Sequence, residues 1–538
     1  MRILPLLLLW LLPAGTVLAE DPQAAPWSPD DGAGGYQNPV LYADYSDPDV
    51  AGFDGDYYLT ASSFNCVPGL PILHSRDLVN WELVNHALPR LYAGKTFDTP
   101  RHGDGVWAPS IRHHDGWWYI YWGDPDLGVY MVRTQNPGGA WTKPVLVKPA
   151  HGNIDACPLW DDDGRVYMVH AFAHSRAGVN SLLTVVELNA DGTKAIDKGW
   201  IVFDGHAEHP TVEGPKFYKR NGYYYIFAPA GGVAEGWQIV LRSRHVRGPY
   251  EVRRVLAQGD TAINGPHQGA WVDAPDGSSW FLHFQEKQPY GRIVHLQPMR
   301  WVDDWPVIGD DPDGDGEGQP VLNHAEPVAG GPVKVPATSD TFGGKQLGRQ
   351  WQWHANPRSE WASLTARRGW LRLTAAQLPT GYRNLWDAPH LLLQKFPAPA
   401  FTATCVIDPR AMQSGETAGL VVMGRDYAYV GLKKSSGGLC IVRQTCPNAE
   451  RGTAETSDDL VRLDDNATVE LSVEVRDGGV CRFSARCNGE AWPDLGDVFQ
   501  AREGKWIGAK VGLFCQGEAS PAGYVDVDHF TIEADAAD

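Results

Sequence analysis

The stretch TVEGPKFYKRNGYYYIFAP, Thr211 to Pro229, sets a carboxylate, Glu213, beside a Gly and a Pro, nine residues ahead of Gly222, which opens an aromatic run. An Asn-Gly pair before alternating apolar residues is a strong hairpin signal, because Gly accepts the positive φ that a tight turn demands. Four other segments share the design: FDGDYYLTA, HHDGWWYIYW, DDDGRVYMVH and PDGSSWFLHF, with turn glycines Gly55, Gly116, Gly164 and Gly277. Further strands with their own turns follow, as in LPILHSRDLVNW, GVYMVRTQNPGGAW and IVLRSRHVRGPYE. The overall spacing, roughly 50 to 60 residues, suits a four-stranded propeller blade. Five copies predict an all-β chain that begins with a five-bladed β-propeller, over residues 36–325.

Counting back from the turn glycines finds one residue in a similar place in each copy. Asp47 lies eight before Gly55, Trp107 nine before Gly116, Asp155 nine before Gly164, Glu213 nine before Gly222 and His267 ten before Gly277. Each sits near a proline, which cannot donate to a sheet ladder and so marks the start or edge of a strand. The five positions therefore read as entries to the innermost strands, brought together around one central channel. A lone acid beside Gly and Pro more often caps a turn. Three in register, Asp47, Asp155 and Glu213, point instead to a site where like charges raise at least one pKa, as general acid work requires. A metal centre would need a tighter cluster of His or Cys ligands than this spacing offers.

Composition narrows the partners. Lys plus Arg number 46 against 65 Asp plus Glu, and the net charge of −19 repels phosphate backbones and anionic lipid. Twenty-two Trp suit neutral sugars, whose C–H patches stack on aromatic faces. Residues 1–19, MRILPLLLLWLLPAGTVLA, read as a secretory signal peptide. No Cys follows the cleavage point and no later run reaches the ~20 apolar residues of a membrane helix. The expectation is a soluble periplasmic or secreted protein that binds carbohydrate, and neither nucleic acid nor membrane.

From about Asn38 to Val321 the chain resembles glycoside hydrolase family 43, five-bladed propellers acting on arabinose- and xylose-containing polysaccharides. The motifs NPVLYADYSDPDV, NCVPGLPILHSRDLVNW, WAPSI, IDACPLWDDDGRVYMV, VEGPKFYKRNGYYYIFAPAGG, HQG and GRIVHLQPMRWVDDWPVIG stand in that family's order. The resemblance implies Asp47 as general base, Glu213 as general acid and Asp155 as the acid that orients and tunes its partner. It also implies a sugar pocket lined by Phe64, Trp107 and Ala108, with His267 at the centre and Arg292 contacting sugar and acids. Ile154, Asn65 and Cys66 depart from the β-xylosidase-like pattern. They tilt the expectation to an exo-acting, inverting α-L-arabinofuranosidase on arabinoxylan or xyloglucan fragments, with β-xylosidase as the alternative and a non-catalytic carbohydrate-binding propeller behind both. A retaining sialidase- or fructan-type propeller would need an NDPN-like start or an Arg triad, and neither is evident.

A Pro- and Gly-rich linker, residues 326–338, precedes alternating strands such as AGLVVMG, TVELSVEV and YVDVDHFTIEA, which predict a jelly-roll-like β-sandwich over 339–538. It resembles the sandwich appended to many family 43 enzymes, in some of which a sandwich loop closes one side of the pocket. No cofactor is required. A structural calcium is allowed for, at Asp526 or Asp528 by that resemblance, whereas the acidic run Asp310 to Glu317 lacks the terminal Glu of a calcium loop and reads as solvated surface. Eight Cys permit disulfides in an exported chain. Pairing among Cys440, Cys446, Cys481 and Cys487 is open, while Cys66 and Cys157 read as packing.

Overall fold

The computed structural model describes residues 25–535 except 93 and 466, so the proposed signal peptide lies outside the described residues. Five four-stranded antiparallel sheets follow one another along the chain, each built from consecutive strands. Their innermost strands are Asp49–Phe53, Trp107–His114, Asn153–Trp160, Lys216–Arg220 and His267–Asp273, for blades I to V. Every predicted turn glycine joins the first two strands of its blade, with φ between 74° and 85°. In blades I, II and IV the preceding residue, Asp54, Asp115 or Asn221, also has positive φ. Both central residues are then left-handed, which matches the right-handed twist of the flanking strands.

No blade borrows a strand from the other end of the chain. The ring closes through a small ribbon in which Gly35–Gln37 pairs with Asn323–Ala325, and through a bridge between Leu41 and Val294. The Asn38 side-chain amide donates to the carbonyls of Leu296 and Val321 at 2.8 and 2.9 Å.

Hydrogen bonds between blades run round the whole hub, from inner strand to inner strand except at V to I, where Tyr57 stands on the second strand of blade I, Asp56–Thr60. Asp49 Oδ2 accepts from Ile111 N and Arg112 Nη1, both at 2.7 Å, tying blade I to II. Arg112 Nη2 and Phe217 N both donate to Cys157 Sγ, at 3.0 and 3.2 Å, tying II to III and III to IV. Tyr218 Oη accepts from Trp271 N at 3.1 Å, and Tyr57 Oη donates to Asp273 O at 3.2 Å, completing IV to V and V to I. Lys216, fully buried, donates to Pro109 O and Ser110 Oγ. These groups plug the middle of the channel, so Cys157, read from sequence as packing, is also a hydrogen-bond acceptor at the hub.

The C-terminal domain is a sandwich of a seven- and an eight-stranded sheet, with its core between them. All eight cysteines are free. Cys481 and Cys487 point into the inter-sheet core from one sheet, whereas Cys446 packs with Tyr427 and Phe514 on the outer face of the other sheet. The six-residue spacing does place Cys440 and Cys446 on one face, but that face looks away from the other pair. The candidate calcium ligand Asp526 is already spent: Arg372 holds both its oxygens at 2.8 and 3.0 Å, and Arg367 approaches at 3.4 Å. Asp528 accepts from the neighbouring His529. In the acidic run, the buried side chain of Asp311 pairs with the exposed Arg300, and Glu317 pairs with Arg254.

Propeller and sandwich meet along a buried seam. Val67 pairs with Trp353, Asn65 Nδ2 donates to His354 O at 2.7 Å, and Lys510 Nζ donates to Cys66 Sγ and Gln352 Oε1, each at 3.0 Å. Asn65 and Cys66 were expected beside the sugar pocket, but their side chains are used at this seam. Ile154 is likewise in the core between blades III and IV. The three side chains stand behind the pocket wall rather than on it: Cys66 packs with Phe64, and Trp107 packs against the clusters that hold Cys66 and Ile154.

Candidate active site

At one mouth of the channel each inner strand has a residue in the left-handed region within two positions of its first residue: Asp47 (φ 54°), Ala108 (36°), Asp155 (59°), Gly214 (58°) and Gln268 (30°). In blades II, III and V the strand register slips at this point. A bulge re-aims a side chain and bends the strand, and here it turns the strand entry toward the hub. The structural equivalence corrects the sequence count by one residue in three blades. Asp47 and Asp155 occupy the left-handed position itself, whereas Trp107, Glu213 and His267 stand immediately before it. At the Glu213 step the glycine is obligatory, since a Cβ on Gly214 would lie 2.1 Å from Gln268 Cγ.

Asp47 is held on both oxygens. Oδ1 accepts from Arg292 Nη1 at 2.9 Å and Oδ2 from Ser62 Oγ at 2.6 Å. Ser62 in turn accepts from Ala108 N at 2.7 Å, and Arg292 also reaches Ser46 Oγ at 3.2 Å. Only 8% of the Asp47 side chain and 9% of Arg292 are exposed. A guanidinium and a hydroxyl donor together fix the direction of the carboxylate.

Asp155 Oδ2 accepts from Gly214 N at 2.7 Å, so the backbone next to Glu213 holds its neighbour. Burial raises the Asp155 pKa, Asp47 adds to the rise, and the Gly214 hydrogen bond, Lys216 and Arg292 oppose it. Glu213 is raised by burial first, then by the charges of Asp155 and Asp47, with Arg292 limiting the rise. The Glu213 side chain keeps 36% of its surface open to the cleft, so the full rise requires a sugar to displace that water, while the direction holds in either state. The two carboxyls titrate as a pair, and the pair binds a proton more tightly than either would in water.

His267 is 1% exposed, and Nε2 lies 3.6 Å from Glu213 Oε1. Neither ring nitrogen has a hydrogen-bond partner among the described residues. Burial, with the Arg292 charge, drives its pKa down to about 3, so it is a neutral imidazole at any working pH. Trp107 is half-buried, its Nε1 donating to Gly103 O at 2.8 Å. Phe64 is 2% exposed and stands behind Trp107, ring centroids 6.3 Å apart, as a wall rather than a free sugar platform.

The remaining wall comes from the sandwich. Trp506 has φ 65°, is 44% exposed and sits 6.4 Å from the Trp107 ring, with the Arg292 guanidinium 5.9 Å from its own ring. Ile507 packs with Phe64 and Cys66 behind it. A cavity of about 180 Å³ between Glu286, Arg292, Arg425, Glu503 and Trp506 runs off from this corner. Sequence reading allowed for such a loop but named no residue of it; the only local signal is an isolated Trp between Lys505 and Ile507.

The family model of glycosyl hydrolases family 43 matches residues 36–306. The chain belongs to glycosyl hydrolases family 43. Residues 339–533 match the β-xylosidase C-terminal concanavalin A-like domain, in agreement with the sandwich. This family 43 chain is 42% identical to a putative β-xylosidase of Xylanibacter ruminicola, over 75% of its own length and 74% of the relative's. It is 33% identical to a β-xylosidase of Formosa agariphila over 95% and 92% of the two chains. Identity to a non-reducing-end α-L-arabinofuranosidase of Bacteroides ovatus is 30%, over 76% and 78%.

A titration consequence follows for this family 43 site. Glu213 gains proton affinity on folding, so the native state holds a proton that the unfolded chain releases near the ordinary Glu value. Stability tied to this proton is intact at low pH and is lost as pH rises toward the folded pKa. Glu213→Gln cannot ionise and escapes that loss. Thermal melts should therefore give equal midpoints for the two proteins at about pH 4 and a higher midpoint for the variant at about pH 8. Parallel pH dependence would mean that the carboxyl is not raised.

Proposed function

We propose that the chain is an exo-acting, inverting β-xylosidase that releases single xylosyl units from the non-reducing ends of xylan-type fragments. The observation that carries this reading is the full-length similarity to a β-xylosidase at 33% identity, sandwich included, beside a 42% match to a second protein of that description. The sequence-based lean to arabinofuranosides rested on Ile154, Asn65 and Cys66. With those side chains used in the core and the domain seam, the lean loses its footing. An α-L-arabinofuranosidase remains the second reading, favoured by the 30% similarity to the Bacteroides ovatus enzyme.

In this reading Asp47 is the base. Arg292 and Ser62 fix its direction, so that it can take a proton from a water attacking the anomeric carbon. Glu213 is the acid, protonated at neutral pH, and gives its proton to the leaving oxygen. The two come from blades I and IV, which are not neighbours in the ring. Inversion needs carboxyls roughly 6.5–9.5 Å apart with room for water, which is the separation this reading requires of two acids on non-adjacent blades. Asp155 raises the proton affinity of Glu213 by its charge. Trp107, Ala108 and Arg292 line the sugar site, and Trp506 closes it on the sandwich side, which suits a chain end rather than a chain interior.

Side-by-side assays with 4-nitrophenyl β-D-xylopyranoside and α-L-arabinofuranoside test the choice. The expected result is a kcat/KM at least about tenfold higher on the xyloside, equal to ~1.4 kcal/mol in transition-state binding. A preference for the arabinofuranoside of that size would select the second reading.

A further inference from the structure

The hub has a second mouth. Beyond the plug of Asp49, Arg112 and Lys216, the inner strands of all five blades open around a cavity of about 790 Å³ on the face opposite the carboxylates. That volume falls within the ~300–1,000 Å³ usual for small-molecule sites. Its wall carries aromatic faces. Phe53 is 54% exposed, one side of its ring covered by His113 at 3.8 Å between centroids. Trp160 lies nearly flat on His114, 14° between planes, and Trp271 lines the far side. Between the rings stand polar groups, with Lys219 held against Asp161 and Asp162.

We propose that this mouth is a second glycan site, which holds a short segment of a neutral, xylan-type oligosaccharide. The proposal rests on the reading of the protein as a hydrolase of such chains. Sugar rings need what this wall supplies, flat apolar faces for their C–H patches and nearby polar atoms for their hydroxyls. The charges exclude anionic ligands. Arg112 is spent on Asp49 and Lys219 on Asp161 and Asp162, so the cations in the wall are already neutralised. Partial burial, with His114 beside it, lowers the pKa of His113, and the whole chain carries −19. The Arg112 plug seals this mouth from the catalytic one, so a chain bound here does not compete with a chain end at Glu213. The consequence is tethering: the polymer is held on one face while ends are trimmed on the other.

Calorimetric titration of full-length Glu213→Gln with xylohexaose tests this. Two sites per chain are expected. Adding Phe53→Ala and His113→Ala, both on exposed or half-exposed positions, should weaken one site at least about fivefold and leave the other unchanged. In the otherwise wild-type enzyme the same pair of changes should preserve kcat/KM on 4-nitrophenyl xyloside and lower the rate on polymeric xylan. A single site in Glu213→Gln would overturn the proposal. So would a second site that ignores both substitutions, or light scattering that shows a dimer dispersed by Phe53→Ala. Failure of the hydrolase reading looks different: no aryl glycoside is cleaved by the wild type, whatever the binding stoichiometry.

Discussion

Replacing Glu213 by Gln is expected to lower kcat on xylobiose by about 10³-fold, within the range that general acid catalysis supplies. The leaving oxygen of xylobiose is a sugar alkoxide, too basic to depart without a proton. A 2,4-dinitrophenolate leaves unaided, so on that aryl xyloside the loss should shrink to about tenfold or less. The dependence on leaving group is what identifies an acid. It follows from the position of Glu213, one residue before Gly214, with its carboxyl raised by burial and by Asp155 and its imidazole neighbour unable to carry a charge. Wild-type activity should also fall on the alkaline side, as the raised carboxyl finally ionises. Asp155→Asn should move that limb to lower pH, because it removes a negative charge that holds the proton on Glu213. A uniform loss across leaving groups would place Glu213 in binding rather than proton transfer.

Asp47→Asn is expected to cost a similar factor, about 10³ or more, on xylobiose and dinitrophenyl xyloside alike. Water must be deprotonated whichever group leaves, so a base shows no leaving-group dependence. The substitution keeps the side-chain size, with the amide oxygen still able to accept from Arg292 and the NH2 turned to the Ser62 hydroxyl, and the fold should be retained in circular dichroism. Loss of the fold in circular dichroism, or a kcat within tenfold of wild type, would remove Asp47 from the role. The two patterns together separate acid from base without reference to any relative.

How much of this site was legible can be judged residue by residue. The turn glycines are local signals, because Gly takes the positive φ of a tight hairpin turn at no steric cost and all five turns use it. Their fivefold recurrence made the propeller readable, and with it the convergence of Asp47, Asp155 and Glu213. The offset of Trp107, Glu213 and His267 was not readable. In blades II and V a bulge at the strand entry adds a residue without changing which residue types suit it, and in blade IV the one-residue offset arises ahead of the paired strand, where no turn residue reports it. Ser62, Gly214 and Lys216 were missed because each acts through a group with no pattern of its own: a hydroxyl linking Asp47 to Ala108 of the next blade, a backbone N–H on Asp155, and a buried ammonium on Pro109 and Ser110. Trp506 lies farther still, in the second domain.

The departures at Ile154, Asn65 and Cys66 show the opposite error, in which residues near the site in sequence were credited with facing it. Asn65 and Cys66 follow Phe64 by one and two positions, yet they bond to His354 and Lys510 of the sandwich.

The amino-acid sequence by itself determined the repeat, the blade number and the identity of the three acids, since turn chemistry and strand alternation act between neighbours along the chain. Tertiary structure alone decided which carboxyl holds a proton, what fixes Asp47 and what closes the pocket. Those properties depend on burial and on charges brought together from distant segments, and neither exists until the blades close and the sandwich docks.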